Sequence, residues 1–395
     1  MTVLNRGVLV LSAFWALAAQ QSGPALPLVQ PGAPLPVCGA SRRGSTIVEV
    51  GGAGRPDLLK ACLQDGAGRF AWVNASQQNP NTFVNSPKAA GCPVFPDNNV
   101  WNTGIDGLPV ANDSKNIIHS YATSKLGLVP AFTLNVADAT TPAEKIAFSS
   151  VESDGGKYPI TREMQVEGYN GKNPFPVSKG PYPTDAHLLV LRKDECKLYE
   201  IFGLESKTPP FKAGSGAIYD LTANNLREDG WTSADAAGLP IWPGVLTYAE
   251  MYGQQEIHHM LRFTVNKTRN TYIWPARHYA SHAVDPTLPP MGSRWRLQAS
   301  FDETTCRASE SAGQPFPPEM RRLIRALKHY GMIVADNGLP IKISTDADPR
   351  WGDPSSPTSA TWVMNGWSHC ISGQDFEVVD AQPLMKNANS AEAVR

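Results

Sequence analysis

The chain has 395 residues, and 35 Lys and Arg against 36 Asp and Glu give a formal net charge of −1. A chain without excess positive charge offers no field that attracts a polyanion, which excludes a nucleic-acid binder that works by electrostatics. The 33 glycines, 34 prolines and a charged fraction of only 18% favour a strand-rich, turn-rich protein, and the 42% of hydrophobic residues excludes global disorder.

The first 20 residues predict a secretory signal peptide. Arg6 supplies an early positive charge, and the apolar run Gly7–Ala19 ends in small residues. A membrane anchor, the alternative, needs roughly 20 apolar residues, which is longer than this run. We therefore expect a secreted or periplasmic protein that has no membrane contact after cleavage of residues 1–20.

Composition divides the rest of the chain into four parts. Residues 21–36 are Pro-rich and predict an extended linker. Residues 37–92 predict a small N-terminal β-module, because two strand-like runs flank a Gly-containing turn in a pattern typical of a β-hairpin. Residues 93–382 form the predicted main domain, and residues 383–395 are expected to be a flexible tail.

Six cysteines are present, and none forms a Cys-X-X-Cys pair that would indicate a zinc ribbon or a redox dithiol. In an exported protein the expected state of these residues is the disulfide. We expect one bridge within the N-terminal group and one within the C-terminal group. These groups are Cys38, Cys62 and Cys92, and Cys306 and Cys370.

Three pairs of strand-like segments with intervening turns cover residues 184–204, 256–280 and 331–344 of the main domain. Recurring hairpins without a strand–helix–strand rhythm predict a mainly β protein. Specifically, we expect a monomeric antiparallel β-sandwich or jelly-roll-like domain with one or two peripheral helices. One such helix is expected after Pro318, because apolar residues follow it at spacings of three and four, and Gly331 is suited to end it.

In the first hairpin, a two-residue turn would pair Leu189 with Glu200 and would set His187 and Asp185 on the same face as Glu200. A three-residue turn would separate them. A glutamate inside an apolar strand is costly to bury unpaired, so Glu200 is expected either to have a partner or to line a cleft.

In the middle hairpin, strand alternation would place His258 opposite His278 and Arg262 opposite Trp274. This polar and aromatic face suits either solvent or a cleft. In a cleft, an exposed Trp beside charged groups can hold a sugar ring, whereas at the surface the two residues are a cross-strand pair. The two histidines would also suit a metal site, but no third ligand can be located, so no metal or other cofactor is predicted. A one-residue slip would exchange His258 for His259.

Two further acids, Asp220 and Asp235, lie where strands meet loops. Taken singly, each suits a turn or a helix cap. Trp231 and Trp242 surround Asp235 in a Gly- and Pro-rich segment that is typical of a loop over a cleft. Together with Glu200 and Glu256, these acids supply the paired carboxylates that glycoside hydrolysis requires.

A string of motifs between residues 93 and 380 resembles a group of exported bacterial proteins. These motifs are VFPDNNVWN, TDAHLLVLR, YEIFGL, GSGAIYDL, GWTSADAAGLPI, HHMLRFT, YIWPARHYAS, LPPMGSRWRL, YGMIVADNG and DPRW. The resemblance implies that this region is one domain, and it carries no activity over to these residues.

The sequence therefore predicts an exported glycoside hydrolase that acts on a polysaccharide or oligosaccharide. The candidate catalytic residues are Asp185, Glu200, Asp220, Asp235, His259 and His278. The candidate substrate-binding residues are His187, Trp231, Arg262, Trp274 and Arg277.

Two alternatives remain open at this point. In a polysaccharide lyase, a His or Tyr takes the proton next to a uronate carboxyl group while an Arg neutralises that group. The middle hairpin supplies all three residue types, with Tyr272 as the tyrosine. A glycan-binding or cell-surface module would bind carbohydrate without turning it over.

Overall fold

The computed structural model describes residues 27–30, 33–42, 45–50, 58–64, 69–74, 86–167, 185–206, 208–253, 256–306 and 316–394. The chain divides into two compact units, Met1–Pro80 and Asn81–Arg395. The predicted signal peptide and half of the predicted linker, residues 21–26 and 31–32, lie outside the described residues. Within the described ranges, no helix is both long enough and apolar enough to cross a membrane.

The first unit contains a four-stranded sheet. Its strands, adjacent in chain order, are β1 (Leu28–Val29), β2 (Thr46–Glu49), β3 (Leu58–Gln64) and β4 (Phe70–Asn74). Strands β3 and β4 pair antiparallel, which confirms the hairpin predicted from the sequence. This unit ends at Pro80, so Cys92 belongs to the second unit and not to the N-terminal module.

The second unit contains sixteen described strands and four described α-helices. The strands are β5 (Lys88–Ala89), β6 (Cys92–Pro93), β7 (Gly127–Phe132), β8 (Leu134–Ala137), β9 (Ala143–Glu144), β10 (Ala147–Phe148), β11 (Tyr158–Pro159), β12 (Leu188–Arg192), β13 (Lys197–Phe202), β14 (Lys212–Ala213), β15 (Ser215–Asp220), β16 (Leu261–Val265), β17 (Arg294–Leu297), β18 (Met332–Asn337), β19 (Lys342–Asp346) and β20 (Phe376–Val379). The helices are α1 (Ser114–Tyr121), α2 (Tyr248–Tyr252), α3 (Pro318–His329) and α4 (Ala360–Ser368).

Two larger sheets organise this unit, and both are mixed. A six-stranded sheet has the order β20-β17-β18-β16-β19-β7, and a four-stranded sheet has the order β15-β13-β12-β8. Strand β16 is parallel to β18, β19 is parallel to β7, and β12 is parallel to β8. The protein is mainly β, as predicted, but the expected purely antiparallel pairing and the expected one or two helices are wrong.

Both faces of the four-stranded sheet contribute to a hydrophobic core. Leu189 pairs with Glu200, which confirms the register that the two-residue turn predicted. One face carries Leu191 and Leu198, which join the main core together with Leu261 and Phe263 of the six-stranded sheet. The opposite face packs in a second cluster that includes Leu188, Val190, Tyr199 and Ile201.

The middle and third predicted hairpins are not formed. Strand β16 pairs with β18 and β19, and residues 271–280 form no strand against it, so His258 does not face His278. Arg277 and His278 instead donate their backbone N–H groups to the carbonyl of Ala237. Likewise, β16 lies between β18 and β19, which separates the two strands that flank Asn337. The apolar β16 gains two covered edges by this insertion, whereas a local hairpin would bury less of it.

The predicted amphipathic helix is confirmed as α3. Met320, Leu323, Ile324 and Leu327 are buried on one side of it. Gly331 follows with φ +65°, a left-handed conformation that favours glycine after a helix.

The expected flexible tail is wrong. Glu392 forms a β-bridge with Asn99, and Ala393 forms one with Met385. The Trp274 Nε1–H donates to the Ser390 carbonyl at 2.9 Å. The backbone of this segment therefore forms hydrogen bonds with the rest of the unit, and the composition of the segment does not predict them.

Three disulfides join the six cysteines. Cys38 pairs with Cys62, and Cys306 pairs with Cys370, which confirms the expectation of one bridge within each group. The remaining bridge connects Cys92 to Cys196 in the turn between β12 and β13.

Candidate active site

A cleft of about 390 Å³ brings three carboxylates together in the second unit. They belong to Asp185, Asp235 and Asp336, and we call this cleft the aspartate cleft. The remaining polar wall is mostly hydroxyl-bearing. Its hydroxyl side chains belong to Ser149, Ser150, Ser215, Thr232 and Ser233.

One wall of the cleft is the segment that follows Trp231. The carboxylate of Glu200 accepts hydrogen bonds from the backbone N–H of Ile241, at 2.8 and 3.0 Å, and from that of Trp242, at 2.9 Å. The Ser233 hydroxyl donates to the carbonyls of Asp235 and Leu239. Glu200 of β13 therefore holds this segment against the four-stranded sheet, and its side chain does not line the cleft.

The Glu200 side chain is fully buried. Burial raises its pKa to about 7, although the two backbone N–H groups lower it. The negative charge of Asp235 raises the pKa further, and the charge of His187 lowers it. The expectation that Glu200 has a partner is confirmed, and its partners are backbone amides.

Asp235 is held in place by Arg262 of β16. The guanidinium donates to both carboxylate oxygens, at 2.8 and 2.9 Å, and also to the Ser344 hydroxyl. The two side chains are only 1% and 3% exposed. This is a bidentate ion pair inside the protein, and it fixes a negative charge immediately behind the cleft.

Asp336 was not singled out from the sequence. It lies near the end of β18, where it is half-buried, and its carboxylate accepts a hydrogen bond from the backbone N–H of Asn337 at 2.7 Å. Burial raises its pKa to about 7, the negative charge of Asp235 adds to this effect, and the positive charge of Arg262 opposes it. In the sequence, the feature that could have identified Asp336 is its position directly after the apolar run MIVA.

His187 lies behind the cleft and is 5% exposed. Its Nδ1 is 2.5 Å from a Glu167 carboxylate oxygen, and its Nε2 is 2.9 Å from the Ala234 carbonyl. Burial lowers the pKa of His187, but the hydrogen bond and charge of Glu167 raise it more, to about 9. Because both ring nitrogens face acceptors, the ring is a buried imidazolium that positions the cleft backbone.

Asp185 and His278 are the more accessible members of the predicted set. Asp185 is exposed and lines the cleft. His278 donates from Nδ1 to the carbonyl of Ala236, a cleft residue, and its Nε2 lies 3.9 Å from Glu152. Trp231 precedes the cleft residue Thr232.

The other predicted residues lie elsewhere. Asp220 accepts hydrogen bonds from the backbone and hydroxyl of Thr222, an arrangement typical of a turn. Arg277 is buried and donates to backbone carbonyls and to the side chain of Asn389. Trp274 is 7% exposed, and His259 lies in a different cavity.

Within the described part of the chain, no group of three or more His, Cys, Asp or Glu side chains is arranged to hold a metal ion. Comparisons with protein-family models, with curated proteins and with solved structures found no match for this chain.

Proposed function

We propose that this protein is an exported glycoside hydrolase and that its reaction takes place in the aspartate cleft. The observation that carries the proposal is that Asp336 and Asp185 line one cleft, in which the neighbouring charge of Asp235 raises the pKa of Asp336. Asp336 has a pKa raised to about 7, while Asp235 is held by a guanidinium. Environments that separate the protonation states of nearby acids are the usual means of assigning acid and base roles.

Asp336 is the proposed general acid. A neutral carboxylic acid in a cleft can protonate the glycosidic oxygen as its bond to the anomeric carbon breaks. Asp235 assists through its charge, because a fixed negative charge nearby disfavours ionisation of Asp336. Asp235 does not react itself, since both of its oxygens are occupied by Arg262.

Asp185 is the proposed second carboxylate. Its exposed side chain lines the same cleft as Asp336, so it can take a proton from the attacking water or attack the anomeric carbon itself. The serine and threonine hydroxyls of the wall match the hydroxyl groups of a sugar. His278 and Trp231, near the cleft, would orient the substrate chain.

The proposal includes the location and architecture of the protein. Three disulfides suit an oxidising compartment such as the periplasm or the exterior, and the resemblance to exported bacterial proteins agrees with it. We infer that the two larger sheets form a sandwich, because Leu191 and Leu261, one from each sheet, belong to one core. We also infer a monomer that binds carbohydrate as its partner.

The test is incubation of the purified protein with a panel of polysaccharides, followed by assay of reducing ends. We expect Asp336→Asn and Asp185→Asn to lower the rate by about 100-fold or more, the scale of general acid–base catalysis. Asp220→Asn, which alters a turn carboxylate outside the cleft, is the matched control and should keep the wild-type rate.

Two outcomes would overturn the hydrolase assignment. An ultraviolet-absorbing unsaturated product would indicate a lyase. Binding of glycans without release of reducing ends, and with no effect of either aspartate substitution, would indicate a binding module.

A further inference from the structure

A second cavity, of about 790 Å³, lies in the same unit. It is about twice as large as the aspartate cleft, and no described lining residue is common to both. Its wall includes residues of α2, the end of β19 and the segment that carries His258 and His259. The proposed hydrolysis makes no use of it.

Most carboxylates in this second cavity already have cationic partners. Glu250 lies 3.1 Å from His259 Nε2, and burial of that histidine is offset by the charge of Glu250, so the pKa of His259 is raised. Asp348 is paired with Arg350. These pairs leave the wall close to neutral, which does not favour a strongly charged ligand.

Asp346 is the carboxylate of this cavity that has no cationic partner among the described residues. Its Oδ1 accepts hydrogen bonds from the backbone N–H of Tyr248 at 2.8 Å and from the Trp351 indole N–H at 2.7 Å. No described residue donates a hydrogen bond to its Oδ2. The side chain is half-buried and lines the second cavity. Within the described ranges, no protein donor therefore competes with a ligand for Oδ2 of this cavity-lining side chain.

The wall of the second cavity also has an apolar surface. Leu134, Val136, Val245 and the half-buried Trp242 line the cavity. The backbone of Trp242 is fixed by its hydrogen bond to Glu200. Apolar walls with a few placed polar groups are typical of small-ligand sites, and an indole beside acceptor oxygens suits the C–H face and the hydroxyls of a sugar.

We propose that the second cavity binds a neutral saccharide unit, with Asp346 Oδ2 accepting a hydroxyl hydrogen bond and Trp242 covering a sugar face. The class of ligand rests on the proposed function, but the site is separate from the aspartate cleft and takes no part in bond cleavage. A uronate carboxylate at the Asp346 position is disfavoured, because like charges repel.

The test measures binding by calorimetry with soluble neutral glucans, xylans and mannans on the full chain carrying Asp336→Asn, so that the ligand is not consumed. Adding Asp346→Asn keeps the oxygen that faces Tyr248 and Trp351 and replaces only Oδ2 with an amide nitrogen. We expect binding to weaken about tenfold, the scale of one hydrogen bond to a charged group.

Two companion variants keep the result interpretable. Val136→Glu introduces a charge at an apolar wall position that is 50% exposed and should also weaken binding without affecting folding. Glu256→Gln is the matched control, because both oxygens of Glu256 are held by Arg325 and are not available to a ligand. It should bind as tightly as the parent, and a thermal melt of each variant checks its fold.

The outcomes separate the two proposals. Unchanged binding by the Asp346→Asn protein, or binding of no neutral polysaccharide by the parent, overturns the second site while the hydrolysis assay stands. Binding that depends on Asp346 in a protein without hydrolytic activity supports the site and overturns the hydrolase. Hydrolysis that survives Asp336→Asn but is lost with Asp346→Asn alone would place the chemistry in the second cavity and overturn both.

Discussion

Removal of the guanidinium from the buried pair of Asp235 and Arg262 should destabilise the protein severely. Arg262→Met keeps much of the side-chain volume but removes two hydrogen bonds of 2.8 and 2.9 Å to Asp235. It leaves a carboxylate that is 1% exposed without its counter-charge. Breaking a buried ion pair from one side costs about 3–5 kcal/mol, so we expect a loss of this size in the free energy of unfolding.

The double variant distinguishes the cost of an orphaned charge from the net contribution of the pair. Replacing both residues, as Asp235→Leu with Arg262→Met, removes the buried charges together. Apolar replacement of a whole buried pair is often close to neutral. We therefore expect the double variant to be more stable than Arg262→Met alone.

The measurement is urea denaturation with the disulfides intact, followed by tryptophan fluorescence. Arg325→Met is the control, because the pair of Arg325 and Glu256 is about half exposed, at 55% and 47%, and such pairs contribute about 1 kcal/mol or less. A loss below about 1 kcal/mol for Arg262→Met, or a double variant as unstable as the sum of the single variants, would refute the reasoning.

Two further predictions concern pH and backbone conformation. The pKa of His187 is raised from 6.5 to about 9 and that of Glu200 from 4.5 to about 7, so the folded state binds more protons than the unfolded state across this range. The free energy of unfolding, measured by urea titration, should therefore fall from pH 4.5 to pH 9. Glu200→Gln should make this dependence weaker below pH 7. A free energy of unfolding that rises with pH would contradict the prediction. Gly331→Ala should cost about 1–3 kcal/mol in the same assay, because φ is +65° and a Cβ would clash with the Trp295 carbonyl. Gly155→Ala, which meets nothing within 4 Å, should be close to neutral, and equal effects of the two changes would count against the strain argument.

The parts of the fold that were predicted correctly depend on contacts between near neighbours in the chain. Strands β12 and β13 are joined by a short turn, so alternation leaves one register for each turn length, and the structure has the one that pairs Leu189 with Glu200. The amphipathic stripe of α3 likewise repeats within one helix. In both cases the sequence contains both partners of each interaction within a short window.

The errors occurred where a distant strand competed with a near one. Asn337-Gly338 is a strong hairpin signal, yet β16 lies between the strands that flank it. Parallel pairing of β16 with β18 joins segments about 70 residues apart, and no local pattern reports such a contact. The order of the tail segment also depends on distant partners, such as Asn99.

For the candidate site, the sequence indicated which acids are unusual but not how each is used. Glu200 is distinctive in the sequence because a carboxylate in an apolar strand needs a partner, whereas Asp235 is distinctive only as one of a set of acids. Asp336 was missed, because its altered pKa arises from burial and from a charge about 100 residues earlier in the chain.

By itself, the sequence determined that the protein is mainly β and that the N-terminal and C-terminal cysteine groups each contain one disulfide. The tertiary structure alone decided which acids share a cleft, which charges neutralise one another, and that Asp346, whose Oδ2 accepts no hydrogen bond from a described residue, lines a second cavity. The physical reason is the range of the interactions. Hydrogen bonding and side-chain alternation act between near neighbours, whereas burial and charge coupling depend on segments that meet only in the folded chain.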